Sequence, residues 1–335
     1  MALSGNTTGA GNTANGVEAL FSNTTGGKNT ANGVDALYRN STGVGNTAME
    51  FFARRGNSTG SNNTATGREA LSNNTASNNT ATGYQALFSN GVGTGNTANG
   101  VQTLCRNGSG NNNTAIGFQA LFSNRTANGS TATGAQALYS NTTGYENTAD
   151  GFQALYSNTT GVQNTANGFL AMHSNTTGYY NTANGLAALG FNTTGSSNTA
   201  NGFNALGRNR TGGENTANGD FALYGNTTGQ ANTALGKDAG WNVTTASNVI
   251  CIGADVRGAN VSNSCFIGSI RGVTTQNADA VPVLIDSAGQ LGTASSSARF
   301  KTAIKPMDAA SETIFALKPV TFQYKSDKSD TRNLV

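Results

Sequence analysis

Asn12-Thr13-Ala14-Asn15-Gly16-Val17-Glu18-Ala19-Leu20-Phe21-Ser22-Asn23-Thr24-Thr25-Gly26-Gly27-Lys28 is followed at once by Asn29-Thr30-Ala31-Asn32-Gly33-Val34-Asp35-Ala36-Leu37-Tyr38, the same pattern begun again. The opening Asn recurs at Asn46, Asn63, Asn79, Asn96 and Asn113, then at Asn147, Asn164, Asn181, Asn198, Asn215 and Asn232, with Ser130-Thr131-Ala132 filling the remaining register. Every step is 17 residues except Asn63 to Asn79, which is 16, so the chain carries 14 units and one single-residue deletion. A unit this short cannot enclose a core of its own. It must stack on its neighbours, which places equivalent residues in ladders.

The ladders assign a task to each position. Leu20, Leu37, Leu71, Leu87, Leu104, Leu121, Leu138 and Leu155 form one apolar column, and burying each side chain is worth roughly 1.5–3 kcal/mol. Ala19 and its equivalents stay small, as close packing requires. Gly16, Gly33, Gly67, Gly83, Gly100 and Gly117 follow the Ala; Gly26, Gly43, Gly60 and Gly144 follow Asn-Thr-Thr or its variants. Two glycines per coil mark two corners, where positive φ or close backbone approach is needed. Stacked Asn amides can hydrogen-bond along a ladder.

Thr-Ala-x before the first Gly reads as a short strand. The segment after it has two readings. As a strand, Val17, Ala19 and Phe21 share a face; as a single helical turn, Val17, Leu20 and Phe21 do. Either way the expected fold is mainly β: an elongated parallel β-solenoid or β-roll of 17-residue coils, with or without one short helical turn per coil, closed by a short helix–strand C-terminal cap. In the third unit Met49-Glu50-Phe51-Phe52-Ala53-Arg54 departs from the pattern, and the deletion follows Leu71. Kinks or bulges are expected at both.

Composition agrees with a periodic rather than a disordered chain. Gly makes up 45 of 335 residues and charged residues only 10%, yet aromatics are present at regular positions. The net charge of +3, with no Lys/Arg run in the repeats, lacks the footprint of a nucleic-acid binder. The apolar runs are too short to span a bilayer. Met1-Ala2-Leu3-Ser4 leads straight into the repeat, with no signal peptide visible. Cys105, Cys251 and Cys265 form neither a disulfide framework nor a CxxC pair.

Beyond Trp241 the period changes. Asn248-Val249-Ile250-Cys251-Ile252-Gly253 and Asn263-Ser264-Cys265-Phe266-Ile267-Gly268 are related strands fifteen residues apart. Their apolar alternation ending in Gly resembles the coils of trimeric adhesin heads of the parallel β-roll type. Val281 to Asp286, then Ser287 to Gly292, reads as a final strand and turn. Ser295-Ser296-Ser297-Ala298-Arg299-Phe300-Lys301-Thr302-Ala303-Ile304-Lys305-Pro306, an Ala-rich helix, and Leu317-Lys318-Pro319-Val320-Thr321-Phe322-Gln323-Tyr324-Lys325 resemble the start of the intramolecular chaperone domain of phage tail spikes and fibres, the endosialidase-type, peptidase S74 family. The resemblance implies a homotrimer and a chaperone that cuts itself off at a Ser assisted by a Lys, here Ser296 and Lys301. Ser297 and Ala298 stand where that family has Asp, and its later strands and helices do not follow before Val335, so the stub is expected not to cleave. The chain thus divides into the repeats (1–240), an adhesin-head-like roll or neck (241–294) and a truncated chaperone stub (295–335).

No catalytic constellation accompanies the repeats, and no enzyme activity, metal or cofactor is expected. The single His, His173, occupies the slot where other coils carry Phe or Tyr. Cys251 and Cys265 are expected to be buried or stacked. The sequons at Asn23, Asn40, Asn141, Asn158, Asn175, Asn192 and Asn226 read first as turns and second as glycosylation candidates on one rim. The leading function is a structural fibre or filament subunit, extracellular, on a cell surface or virion, with an adhesive role toward a host-surface glycan. Its partners are copies of itself, as a homotrimer or end-to-end filament. The alternative is a solenoid that binds glycan or ice through Thr/Asn ladders, against which the Thr rows fall at an Asn-Thr-Thr-Gly corner rather than as Thr-x-Thr on a flat strand.

Overall fold

Thr-Ala-Asn is the shortest segment that can act as a strand here. The β-branched Thr and the polar third residue face out, and the Ala methyl faces in. The computed structural model describes residues 1–270, 282–285, 287, 289–293, 321–323 and 331–333. In it each repeat contributes one such strand, from β1 (Thr13–Asn15) to β14 (Thr233–Leu235), followed by β15 (Val249–Ile252) and β16 (Ser264–Ile267). All sixteen join one parallel sheet in chain order. The register is that of the repeat: Thr13 faces Thr30 and Ala14 faces Ala31, and later Thr233 faces Ile250 and Ala234 faces Cys251. The fold is therefore a parallel β-solenoid with 17-residue spacing, and no helix occurs among the described residues.

The interior is thin. Between residues 29 and 40 the side chains with no exposed surface are Asn29, Ala31, Ala36, Leu37 and Asn40. Two alanines, one leucine and two asparagines per coil are stacked on their equivalents above and below. The column from Leu20 to Leu155, leucine except for Arg54 in the third unit, is fully buried, continues through Met172, and then returns to leucine at Leu189 and Leu206.

The segment after the first Gly is neither a strand nor a helical turn. It is a chain of overlapping tight turns: Ala19 N–H donates to Gly16 O (3.5 Å), Phe21 to Glu18 O (3.3 Å) and Asn23 to Leu20 O (3.2 Å). Glu18 and Leu20, third residues of the first two turns, have φ of 55° and 53°, the positive value that type II turns demand at that position. Alternating handedness puts the neighbours Ala19 and Leu20 both inside and leaves Val17 64% exposed, so neither face expected from a strand or a helix forms. Holding a leucine in this region costs roughly 1–2 kcal/mol. Hydrogen bonds between coils offset it: Leu20 N–H donates to Ala36 O (3.0 Å), and Asp35 N–H donates back to Val17 O (2.9 Å).

The two glycine columns are needed for different reasons. Gly16 and its equivalents lie at positive φ, 132° for Gly16 itself, and a Cβ there would come within 2.5 Å of Gly33 O. The Gly26 column has no such φ; a Cβ at Gly26 would instead meet Gly43 O at 2.4 Å and Asn23 Oδ1 at 2.6 Å.

The expected kinks are absent from the sheet. β3 (Thr47–Met49) pairs in register with β4 (Thr64–Thr66), which pairs in register with β5 (Thr80–Thr82) across the deletion. The missing residue is taken from the corner instead. Asn74 Nδ2 donates to Ala76 O two residues on, whereas Asn23 Nδ2 donates to Gly26 O three residues on.

The chain forms two compact units, 1–272 and 273–335. In the second, β17 (Val283–Ile285) pairs antiparallel with β18 (Leu291–Thr293), and β19 (Thr321–Gln323) with β20 (Thr331–Asn333). The helix of the expected cap lies outside the described residues.

Candidate functional site

The sequon asparagines are internal. Asn23, Asn40, Asn141, Asn158, Asn175, Asn192 and Asn226 have no exposed surface. Asn158 is representative: its Nδ2 donates to Asn141 Oδ1 (2.8 Å) and Gly161 O (3.0 Å), and its Oδ1 accepts from Asn175 Nδ2 (2.9 Å). The atom that would carry a sugar is thus sealed inside a hydrogen-bonded column. A glycan there is incompatible with the folded coil, and the rim expected from the tripeptide pattern is corrected to an internal ladder. The repeat-opening asparagines build a second ladder, in which Asn181 Nδ2 donates to Gly195 O (2.9 Å) while Asn164 Oδ1 accepts from Asn181 N (3.0 Å). At the C-terminal end Val243 replaces the next Asn, and Asn226 Oδ1 is left without a partner.

An unpaired buried polar atom costs about 1–3 kcal/mol. Asn158→Ala would orphan Asn141 Oδ1, whereas Gly161 O keeps its bond from Asn147 Nδ2 (2.8 Å) and Asn175 Nδ2 keeps its bond to Gly178 O (3.0 Å). It is expected to lower stability by about 1–3 kcal/mol, read as accelerated hydrogen exchange of the amides between residues 141 and 178. Unchanged protection there would show that the ladder contributes nothing.

Outside, four kinds of ladder run along the stack. On the sheet, the first and third strand residues face solvent, and Asn167 Nδ2 reaches Asn184 Oδ1 (2.9 Å) while Asn184 Nδ2 reaches Asn201 Oδ1 (2.8 Å). β4, β5 and β8 (Thr131–Thr133) read Thr-Ala-Thr with the Ala buried. The expectation that Thr rows fall only at a corner is therefore corrected: a flat strand face carries them too. Gln85, Gln102, Gln119, Gln136 and Gln153 form an amide ladder on the turn segment, each Nε2 from Gln102 onward donating to the preceding Gln Oε1 within 3.2 Å.

Phe122, Tyr139, Tyr156 and His173 form a ring column with centroids 5.2 Å apart and planes within 6° of parallel. His173 is one rung of it, and partial burial lowers its pKa from the usual histidine value. The fourth ladder is apolar and exposed: Val17, Phe118, Phe152, Phe169, Leu186 and Phe203 occupy the position after the corner glycine, 38–64% exposed. Arg68 takes that position in the deleted coil and lies over both Phe51 and Tyr84.

Cys251 is buried as expected, but Cys265 is exposed. The reason is strand parity: Cys265 pairs with the outward Ile250, and Phe266 pairs with the inward Cys251. Ser296 and Lys301 lie outside the described residues. Among the described residues no group of three or more His, Cys, Asp or Glu could hold a metal ion, and no helix is long and apolar enough to cross a membrane.

No match was found among curated proteins or among solved structures. Residues 296–334 do match the family described as chaperone of endosialidase, peptidase S74, so the chain joins a parallel β-solenoid to a C-terminal segment similar to that chaperone family.

Proposed function

We propose that this protein is a structural fibre subunit, extracellular and virion-attached, whose solenoid is the shaft and whose C-terminal segment belongs to the chaperone machinery that assembles it. The observation that carries this reading is the uninterrupted register of sixteen parallel strands. Strands about 4.8 Å apart give a stack about 70 Å long, built from ladders that offer a surface to partners rather than a pocket to a substrate. The chaperone-family match supports a parallel homotrimer.

The exposed apolar column supports the same assembly. About half of each large side chain is available, on the order of 100 Å² per aromatic ring, and ten rungs of Val, Phe, Tyr or Leu are exposed at this position. That approaches the roughly 800 Å² per partner of a stable interface. It also exceeds what monomers ordinarily leave uncovered. A ridge with one rung per coil is matched in spacing by another copy of the same chain.

The purified full chain is expected to sediment as about three times 34.0 kDa and to image as slender particles with a repeat of about 4.8 Å along the long axis. Monodisperse globular particles would overturn the fibre reading, and a 34.0 kDa monomer would overturn the trimer. We assign Ser296 and Lys301 as the chaperone family's cleavage pair. Since Ser297 and Ala298 replace the acidic context, the chain is expected to stay intact and unglycosylated. Its mass should equal that of the bare polypeptide, before and after long incubation, and match Ser296→Ala apart from the one oxygen. Loss of the C-terminal residues in the native chain alone would show that the pair works.

A second reading has its own observation, the Thr-Ala-Thr and Thr-Ala-Asn sheet face with outward side chains in register. A face of this kind could bind ice or neutral glycan as a lattice. Thermal hysteresis at micromolar protein is its test.

A further inference from the structure

In a chain of near-identical coils, departures from the repeat are where specific recognition can be built, and several converge on one spot. The ring column stops at His173 because the next two coils carry Gly190 and Gly207 at that rung; rings resume with Tyr224, which contacts Trp241 at 4.8 Å. The next position along, Ser123, Ser140, Ser157 and Ser174 in the preceding coils, becomes Phe191 and then Arg208. The Thr at 176 and 193 becomes Arg210, and returns as Thr227.

Together these substitutions open a cleft of about 770 Å³ lined by Phe191, Arg208, Arg210, Tyr224, Thr227 and Thr228, a volume typical of small-molecule sites. Tyr224 leans into the gap, with ring carbons 3.1 Å from where a Cβ on Gly207 would stand. At Gly190 the three atoms nearest to a Cβ would all belong to Ala187 of its own coil, at 3.0–3.6 Å.

We infer that this cleft is a binding site for an acidic pyranose, a sugar ring carrying a carboxylate of the hexuronate type. This deepens the adhesive part of the fibre reading and rests on it. The Arg208 guanidinium lies 4.7 Å from the Tyr224 ring centroid, a contact that holds its planar fork in place. Neither Arg208 nor Arg210 has a carboxylate within salt-bridge distance among the described residues, where the only ion pairs are Arg55–Asp35 and Arg68–Glu69. Two neighbouring cations without a counter-charge fit a carboxylate, which an arginine binds through paired, charge-assisted hydrogen bonds. Phe191, 62% exposed, offers a ring face to the C–H face of a pyranose, while Tyr224, packed between Arg208 and Trp241, forms the wall beside it. Thr228, whose hydroxyl has no hydrogen bond within the described residues, and Thr227 stand at the edge for its hydroxyls.

Arginine over a ring is not by itself the mark of the site, because Arg106 lies over Phe122 at 4.8 Å in the same way. The glycine gap and the second arginine make the difference. A nucleic-acid strand would need positive charge tracking along several coils. The flanking coils carry Ser174, Thr176 and Gly225 at these positions, so the charge suits a single anionic unit.

The test is titration of the full chain, followed by saturation-transfer NMR, with three probes: a tetrasaccharide alternating glucuronate and N-acetylglucosamine, a neutral N-acetylglucosamine tetrasaccharide, and tetrathymidylate. The acidic sugar is expected to bind, and the neutral one at least about tenfold more weakly. Arg208→Ala and Arg210→Ala should each weaken binding by about tenfold or more. The double variant Gly190→Tyr/Gly207→Tyr, which restores the ring rungs and keeps both charges, should abolish it while the amide spectrum of the remaining coils is retained. Absence of binding by the acidic sugar, equal binding of the neutral one, indifference to these variants, or tetrathymidylate bound through the same arginines would each overturn the proposal. Slender particles that bind no acidic sugar would sink the cleft alone, whereas globular particles would sink the fibre reading.

Discussion

Arg54→Leu is expected to stabilise the solenoid by on the order of 5 kcal/mol at neutral pH. Arg54 stands in the leucine column with no exposed surface. Its Nη2 donates to Gly60 O at 2.9 Å, but Nε and Nη1 have no partner. Burial pulls its pKa from the usual arginine range down to about 9, which expresses the cost of holding a charge inside the stack. The backbone adds no penalty for the substitution, because Arg54 has φ of 52° and Leu37 has 54°.

The sign of the pH dependence follows from the lowered value. Below about 9 the guanidinium is charged in both states and the folded chain carries the whole burial cost. Above about 9 the folded state gives up its proton while the unfolded state still holds it, so native stability rises with pH there. The advantage of the Arg54→Leu variant should therefore be largest below pH 9 and shrink above it. Urea melts of both chains, and hydrogen exchange at Thr47–Met49 and Thr64–Thr66, read this directly. A variant no more stable than the native chain would refute the account.

The site also lies beside the one short coil. Asn57 Oδ1 accepts from Gly60 N (2.9 Å) instead of from the next asparagine, Asn74, whose Nδ2 turns to Ala76 O (3.1 Å). The Asn ladder is thus interrupted where the Leu column is. Repeat stacks are held by neighbour-to-neighbour terms, so the boundary between the third and fourth units is expected to be a weak point of the solenoid.

Gly151→Ala is expected to cost on the order of 3–6 kcal/mol, the sum of backbone strain and overpacking. Gly151 has φ of 134°, and a Cβ would lie 2.5 Å from Gly168 O and 2.7 Å from Gly168 C. Both neighbours are backbone of the next coil, so no side chain can move aside. The damage should propagate to the adjoining strand pairs, Thr148–Asp150 with Thr131–Thr133 and with Thr165–Asn167. Gly27→Ser is the control: other coils carry Ser61, Ser77 or Ser196 at that position, and little change is expected. Equal melting of the Gly151→Ala and native chains would show that the column of positive-φ glycines is dispensable.

Much of this was legible beforehand. A strict 17-residue spacing leaves one arrangement in which Leu37 meets Leu20 and Ala31 meets Ala14, and the parallel in-register sheet follows from it. The corner glycines were legible for the same reason, since a residue type kept at one position of every coil reports a local backbone demand. The turn segment was not. Propensity rules assign φ-x-Ala-Leu-φ to a strand or a helix, because an isolated leucine avoids positive φ. The structure tolerates that conformation because each such residue is tied to the coils above and below, a term absent from any single unit. Asn-Thr-Thr was misread for a related cause: polar tripeptides suggest a rim, and only stacking supplies the neighbouring amide that lets Asn158 be buried without penalty.

The candidate cleft shows the same division. Gly190, Phe191, Gly207, Arg208 and Arg210 are each visible in the sequence as departures from the repeat. Their convergence is decided by the stack, which sets residues 17 apart side by side. Sequence by itself thus determined the period, the strand, the leucine column and the glycine corners, because those depend on distances along the chain. Tertiary structure decided the handedness of the turns, the burial of the asparagines and the position of the cleft, because those depend on hydrogen bonds and contacts that exist only between coils.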